Sequence, residues 1–202
     1  DDAYITFRFL DQWVAGNGLV YNVGERVEGY SNFLWIVLLA PGHALGLDPV
    51  WQAKGLGLAL SIGTLALVWR FTRGWDHRWV SVLLLAAHPS FGAWAVGGLE
   101  TPLFTLLLTG AVLSFVHEER TEQGWWSAPL FVLSGLARPE GLFFCGVLYT
   151  WRLIALLRTG TGRRHDWQRG VLVVSLALAH VCWRMSYYGD LLPNTVHAKS
   201  MG

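Results

Sequence analysis

Charge is what this 202-residue sequence has least of: 14% of its residues are Asp, Glu, Lys or Arg, against 53% that are hydrophobic. Soluble domains carry about a quarter charged residues, so a disordered chain, a coiled coil and an ordinary soluble domain are all excluded. The few charges nearly cancel, with 15 Lys and Arg against 14 Asp and Glu. A net charge of +1 argues against nucleic acid as the main partner. Cysteine is also scarce. Cys145 and Cys182 both lie inside apolar runs, which excludes a disulfide-stapled secreted scaffold and a paired-cysteine metal site. An initiator Met, a signal peptide and any terminal feature after His197-Ala198-Lys199 are absent as well, and the expectation is a piece of a longer membrane protein.

What the sequence does have is long apolar runs and twelve Trp, several of them flanking those runs as interfacial anchors do. Spans are expected at about 55–69, 79–97, 102–116, 125–137, 141–157 and 170–187, of which 125–137 is short. Pro89, beside His88, should kink or break the 79–97 span. Residues 3–15 place Ala3, Phe7, Leu10 and Val14 at helical spacing with Arg8, Asp11 and Gln12 turned elsewhere. That is the pattern of a helix lying in the membrane interface. Residues 33–47 are apolar but short of a bilayer crossing, and Pro41-Gly42-His43 is expected to interrupt them. The fold class is therefore all-α and polytopic. Residues 1–48 form a loop with two interfacial helices, and 49–202 form a helical bundle of about six spans.

Basic residues set the orientation. Arg70, Arg73, Arg78, Arg120, Arg158, Arg163, Arg164 and Arg169 fall on one side, and Lys54, Arg138, Arg184 and Lys199 on the other. The richer side is expected in the cytoplasm. If 33–47 spans, residues 1–30 with Arg8 and Arg26 lie inside, which the basic count alone prefers. The short, broken segment and the clustering of polar motifs favour placing 33–47 in the interface. Four polar motifs then share the outer face: Asp1-Asp2, the GGLETP turn with Glu100, the ARPEG turn with Arg138 and Glu140, and YYGDLLPNTVHAK with Asp190, Asn194, His197 and Lys199. Acidic residues at the ends of apolar spans are costly, so their clustering points to a water-filled cavity there. Two adjacent carboxylates repel, which raises the proton affinity of one and suits it to proton transfer. Arg8 lies on the polar face of the first interfacial helix. Arg152, near the end of its span, is expected to snorkel to the headgroups, and His43 to pack or sit at the interface.

The chemistry such a face supports is group transfer from a lipid-linked donor, with a carboxylate deprotonating the acceptor and cations holding the leaving phosphate. A nucleotide donor is disfavoured because neither a dinucleotide fingerprint nor a P-loop occurs, and no zinc-ligand spacing occurs either. A transporter or flippase, with the acids as ion sites, is the first rival, and a non-catalytic envelope-assembly protein is the second. The acids collect at span ends and no internal repeat shows, which weighs against the transporter.

The segment DDAYITFRFLDQWVAGNGLVYNVGERVEGYSNFLW resembles the first extracytoplasmic loop of a group of GT-C-fold bacterial glycosyltransferases that includes the mycobacterial cell-wall arabinofuranosyltransferases. GGLETPLF, ARPEG and YYGDLLPNT resemble the group's later motifs in the same order. The resemblance implies a GT-C-like bundle with interfacial helices in its first loop, in the bacterial plasma membrane. It implies transfer from a polyprenyl-phosphate sugar to an extracytoplasmic glycan or lipid acceptor, with inversion in one displacement. It places the catalytic carboxylate at Asp1 or Asp2. Arg8, Glu100, Arg138, Glu140, Asp190, Asn194, His197 and Lys199 are then the candidate donor-binding residues. No metal ligand and no cofactor are assigned, although some members of that wider group carry a divalent ion, for which the Asp pair would be the site.

Overall fold

The computed structural model describes residues 2–160 and 164–189, and among them every regular element is an α-helix. Four helices are long and apolar enough to cross a membrane, at Pro49–Phe71, Thr101–Thr121, Glu140–Arg158 and Asp166–Tyr188. The protein is an all-α polytopic membrane protein. The described residues divide into two compact units, one up to Leu106 and one from Leu107, so the boundary falls inside one of the crossing helices.

In the first unit, α1 (Asp2–Val14) carries its acid in the first turn and buries Thr6, Phe7, Phe9, Leu10 and Gln12. An acid there complements the partial positive charge of a helix N-terminus. The inward face differs from the one read off the apolar spacing, because Val14 is exposed while Phe9, Thr6 and Gln12 turn inward. The cause is the returning loop: Tyr30 meets Phe9 edge-on with ring centroids 4.9 Å apart, which makes Phe9 the better-covered side chain.

Helix α2 (Phe33–Ala44) buries Trp35, Ile36 and Leu39 and runs through Pro41 to Ala44, so the Pro-Gly-His stretch does not interrupt it. Proline removes one backbone hydrogen bond from a helix interior. Here tertiary contacts hold that last turn: the Gln52 side chain donates to the Leu39 carbonyl at 2.9 Å, and His43 Nε2 lies 2.8 Å from Asp11 of α1. Twelve residues span about 18 Å, well under the ~30 Å hydrocarbon core.

Helix α3 (Pro49–Phe71) starts on Asp48, whose carboxylate accepts from the Val50 and Trp51 amides at 2.9 and 3.1 Å, with Pro at the first helical position. Its buried positions are Ala53, Gly57, Ser61 and Thr64, a stripe of small residues that lets backbones approach. A Cβ on Gly57 would stand 2.7 Å from the Ala95 carbonyl oxygen. The hydroxyls in the stripe bond back to their own helix, Ser61 to the Gly57 carbonyl and Thr64 to that of Leu60. The expected break at Pro89 is present. Helix α4 (Arg78–Ala87) stops, His88 is extended, and α5 (Pro89–Ala95) begins, because a residue before proline is driven out of the helical region. Helix α6 (Thr101–Thr121) follows.

The second unit holds the rest of α6, α7 (Ser127–Ala137), α8 (Glu140–Thr159) and α9 (Arg164–Tyr188). The segment expected to span at 125–137 is the 11-residue α7, only about 16 Å long. The last span begins earlier than its apolar run, at Arg164 and not at Gly170. Ala111, Phe115, Phe131 and Cys145 form the apolar core.

Beside that core lies a buried ionic cluster that no run of apolar residues announces. Glu118 accepts from the Ser127 amide at 2.9 Å and from its hydroxyl at 2.5 Å, capping α7 from a distance. Arg169, 2% exposed, donates to the Gly124 carbonyl at 2.9 Å and approaches Glu118 at 3.4 Å. Arg152 forms a fork on Asp166 at 3.2 and 3.0 Å and pairs with Glu119 at 3.1 Å. The snorkelling expected of Arg152 is therefore overturned, since two carboxylates within the protein answer its charge.

Removing one member of a buried ion cluster leaves the others uncompensated, at a cost of about 3–5 kcal/mol. Arg169→Met in the full-length parent should lower the melting temperature in detergent by many degrees, while Arg73→Met, at an exposed turn, should leave it within a degree or two. Equal melting of the two variants would show that the cluster is not what holds α6, α7 and α9 together.

Candidate functional site

The first unit brings two of the four polar motifs together. Asp2 is exposed in the first turn of α1. The next residue, Ala3, packs on the GGLETP turn, where a Cβ placed on Gly98 would stand 3.9 Å from Ala3 Cβ and 4.0 Å from the Phe7 ring. Gly98 has φ +77°, a backbone conformation that residues with a Cβ adopt only with strain. Its carbonyl accepts from the indole of buried Trp35 at 3.3 Å. The turn is thus pinned between α1 and α2 before α6 begins.

Glu100 occupies the junction. Its carbonyl accepts the Phe104 amide at 2.9 Å and opens α6, so the helix starts where the Thr101-Pro102 pair indicates. Its half-buried carboxylate accepts from Asn32 Nδ2 at 3.0 Å. The same amide nitrogen donates to Thr6 Oγ1 at 2.9 Å. Thr6 lies four residues after Asp2, on the same face of α1. A chain of polar groups therefore runs from the α1 face that carries Asp2, through Thr6 and Asn32, to Glu100. Neither Thr6 nor Asn32 stood out in the sequence. Asn32 has the right type to cap α2, but its side chain makes no capping bond. Its partner lies 68 residues away, and no local pattern reports that.

Arg8 is exposed on α1 and donates through Nε to the Tyr21 carbonyl at 3.2 Å, which turns it towards the first loop. In the second unit, Arg138 and Glu140 face each other across Pro139 at 3.4 Å, both partly exposed. Arg138 is extended, as a residue before proline must be. Gly141 completes that corner: a Cβ there would reach Ser134 and Gly135 backbone atoms at 2.5 and 2.6 Å. The ARPEG motif is thus a tight turn from α7 into α8 that holds an Arg–Glu pair at its tip. Asp1, Asp190, Asn194, His197 and Lys199 lie outside the described residues. The Asp pair named for a divalent ion is half outside them too, and among the described residues no three His, Cys, Asp or Glu converge on a point.

This chain is 32% identical, across 98% of its length, to a terminal β-(1→2)-arabinofuranosyltransferase of Mycobacterium tuberculosis. The chain is homologous to terminal arabinofuranosyltransferases. A second such enzyme, from Corynebacterium glutamicum, is 29% identical across 99% of the chain. The chain spans about a third of the length of either relative, 34% and 33%. No family model and no solved structure matches it. The group to which the four motifs pointed is thus the group in which these relatives are named.

Two glycines near the site should respond oppositely to a methyl group. Gly98→Ala forces a Cβ into a left-handed residue and should cost about 1–2 kcal/mol, although its contacts would be ordinary. Gly92→Ala, inside α5 with nothing within 4 Å of a Cβ, should stabilise by about 0.5–1 kcal/mol. Thermal unfolding of the two variants in detergent checks the pair. A neutral Gly98→Ala would mean the turn is not held in the conformation described.

Proposed function

We propose that this chain forms the first extracytoplasmic loop, residues 1–48, and adjoining membrane spans of a GT-C-type glycosyltransferase in a bacterial plasma membrane. The reaction moves a pentose, of the arabinofuranosyl type that the relatives are named for, from a polyprenyl-phosphate donor to a glycan or lipid acceptor on the extracytoplasmic side. One carboxylate of Asp1-Asp2 takes the proton from the acceptor hydroxyl. The acceptor oxygen bonds to the anomeric carbon as the bond from that carbon to the phosphate oxygen breaks, and polyprenyl phosphate leaves. Inversion follows from the single displacement. The leaving phosphate bears negative charge as it departs. Fixed cations, for which Arg8, Arg138, His197 and Lys199 are the candidates, stabilise that charge without the need for a metal. Glu100, Glu140, Asp190 and Asn194 supply acceptors for sugar hydroxyls.

The observation that carries this reading is the packing of the α1 first turn, with its exposed Asp2, directly on the GGLETP turn that holds Glu100. A proton acceptor and a sugar-binding carboxylate then belong to one rigid corner at the end of the spans. Catalysis by a positioned base requires that geometry to be set before substrate arrives.

The test uses the full-length parent with a panel of polyprenyl-phosphate sugars and candidate glycan acceptors, the product being read by mass spectrometry. Loss of the base should slow transfer by about 10²–10⁴-fold in Asp1→Asn or in Asp2→Asn while donor binding persists. Undiminished transfer in both variants removes the base from this pair. A wild-type parent that transfers none of the sugars overturns the glycosyltransferase reading.

A further inference from the structure

Asn32 is buried, 6% exposed, and its carbonyl opens α2, yet its side chain does not cap the helix. Both amide hydrogens are spoken for, one by Thr6 Oγ1 at 2.9 Å and one by Glu100 Oε2 at 3.0 Å, and an amide nitrogen has only two to give. Its carbonyl oxygen, Oδ1, is buried without a hydrogen-bond partner. The amide cannot turn over to relieve this, because Oδ1 would then face the acceptor oxygens of Glu100. Burying an acceptor unpaired is costly. A group retained at that cost in a membrane protein is explained by what its other end does, and here the other end holds a carboxylate.

We infer that Asn32, bridged to Thr6, is a positioning residue that holds the Glu100 carboxylate at the α1 first turn so that it can accept hydrogen bonds from the hydroxyls of the donor sugar. The inference rests on the glycosyltransferase reading and adds to it two residues, Asn32 and Thr6, to which that reading gives no part. The bond from Asn32 occupies one lone pair of the carboxylate and leaves others to accept from a hydroxyl. Anchorage to Thr6 registers that carboxylate against the helix that carries Asp2. The substrate recognised is the furanose of a lipid-phosphate sugar, through its hydroxyls and not through its phosphate. Asn32 itself touches no substrate.

The experiment is a reversal of polarity, made in the full-length parent. Asn32→Asp sets two acceptors against each other, whereas Glu100→Gln keeps an amide oxygen that can still accept from Asn32 and removes only the charge. The double variant Asn32→Asp with Glu100→Gln restores a bridge running the other way, with the side-chain amide introduced at position 100 and the Thr6 hydroxyl both donating to the carboxylate introduced at position 32. Melting temperature is measured for each, together with kcat and KM for a short-chain polyprenyl-phosphate arabinofuranose. Asn32→Asp should melt lower and Glu100→Gln close to wild type, and both should raise KM for the donor by about tenfold or more, the factor expected for one charge-assisted hydrogen bond, with a smaller change in kcat. The double variant should recover the melting temperature and keep the raised KM, because its carboxylate no longer stands at position 100.

Recovery of KM together with stability would overturn the inference, since the bridge would then be structural alone. Thr6→Val, which keeps the side-chain shape and removes the acceptor, covers the case in which Asn32→Asp does not fold. It leaves one Asn32 amide hydrogen unpaired, so it should lower the melting temperature modestly and raise KM several-fold, and an unmoved KM overturns the inference. Wild-type transfer with an unmoved KM in these variants sinks only the positioning role. A wild-type parent that transfers nothing sinks the reading on which that role stands.

Discussion

A polar group placed between apolar helices has to be answered by another group of the same protein, because hydrocarbon offers it nothing. That constraint organises both units of this structure. In the second, three carboxylates and two guanidiniums from α6, α8 and α9 answer one another around Arg169, and Glu118 also supplies the cap that α7 lacks in its own sequence. In the first, the hydroxyls of Ser61, Thr64 and Thr105 bond back to carbonyls four residues earlier on their own helices. Short hydroxyl side chains can satisfy themselves this way; Arg and Glu here do not, and Asn32 bonds to Thr6 and Glu100 instead. Their partners therefore decide which helices meet.

The glycines of the two motif turns show the same constraint acting on the backbone. Gly98 is required for its dihedral angle, since a Cβ there would make only ordinary contacts. Gly141 is required for space, because the start of α8 lies against the backbone of α7. Both lie within turns whose charged residues were the candidates for chemistry. In each case the glycine fixes where the neighbouring Glu points: Glu100 two residues after Gly98, and Glu140 one residue before Gly141. A motif of this kind is a backbone shape first, and the shape is what carries the charge to its place.

Much of the fold was legible because its causes are local. Apolar runs of sufficient length mark the crossing helices. Pro89 marks the break between α4 and α5, and Asp48-Pro49 marks the start of α3. Where local and tertiary causes competed, the local reading failed. Pro41 suggested an interruption, but Gln52 and Asp11, from other elements, hold the turn around it. Arg152 near a span end suggested headgroup contact, but Glu119 and Asp166 reach it first. The candidate site divides in the same way. Glu100 and Asp2 could be named from residue type and position, whereas Thr6 and Asn32 could not, since what matters about them is a contact 26 residues apart and another 68 apart.

The two polar clusters also differ in a way that bears on what each is for. Around Arg169 the charges lie among apolar helices and are nearly or fully buried, each guanidinium with a carboxylate within ion-pair distance. Around Asn32 the bonds link a half-buried carboxylate to a helix face that carries an exposed one. A cluster whose opposite charges come from three helices and lie buried among them is suited to holding those helices together. A cluster that joins a half-buried carboxylate to a helix carrying an exposed one is suited to presenting groups to something that arrives from outside, because its buried bonds need not break when the more exposed members are engaged. That difference, and not the mere presence of acidic residues, is the physical reason to place sugar recognition at the corner between α1 and the GGLETP turn.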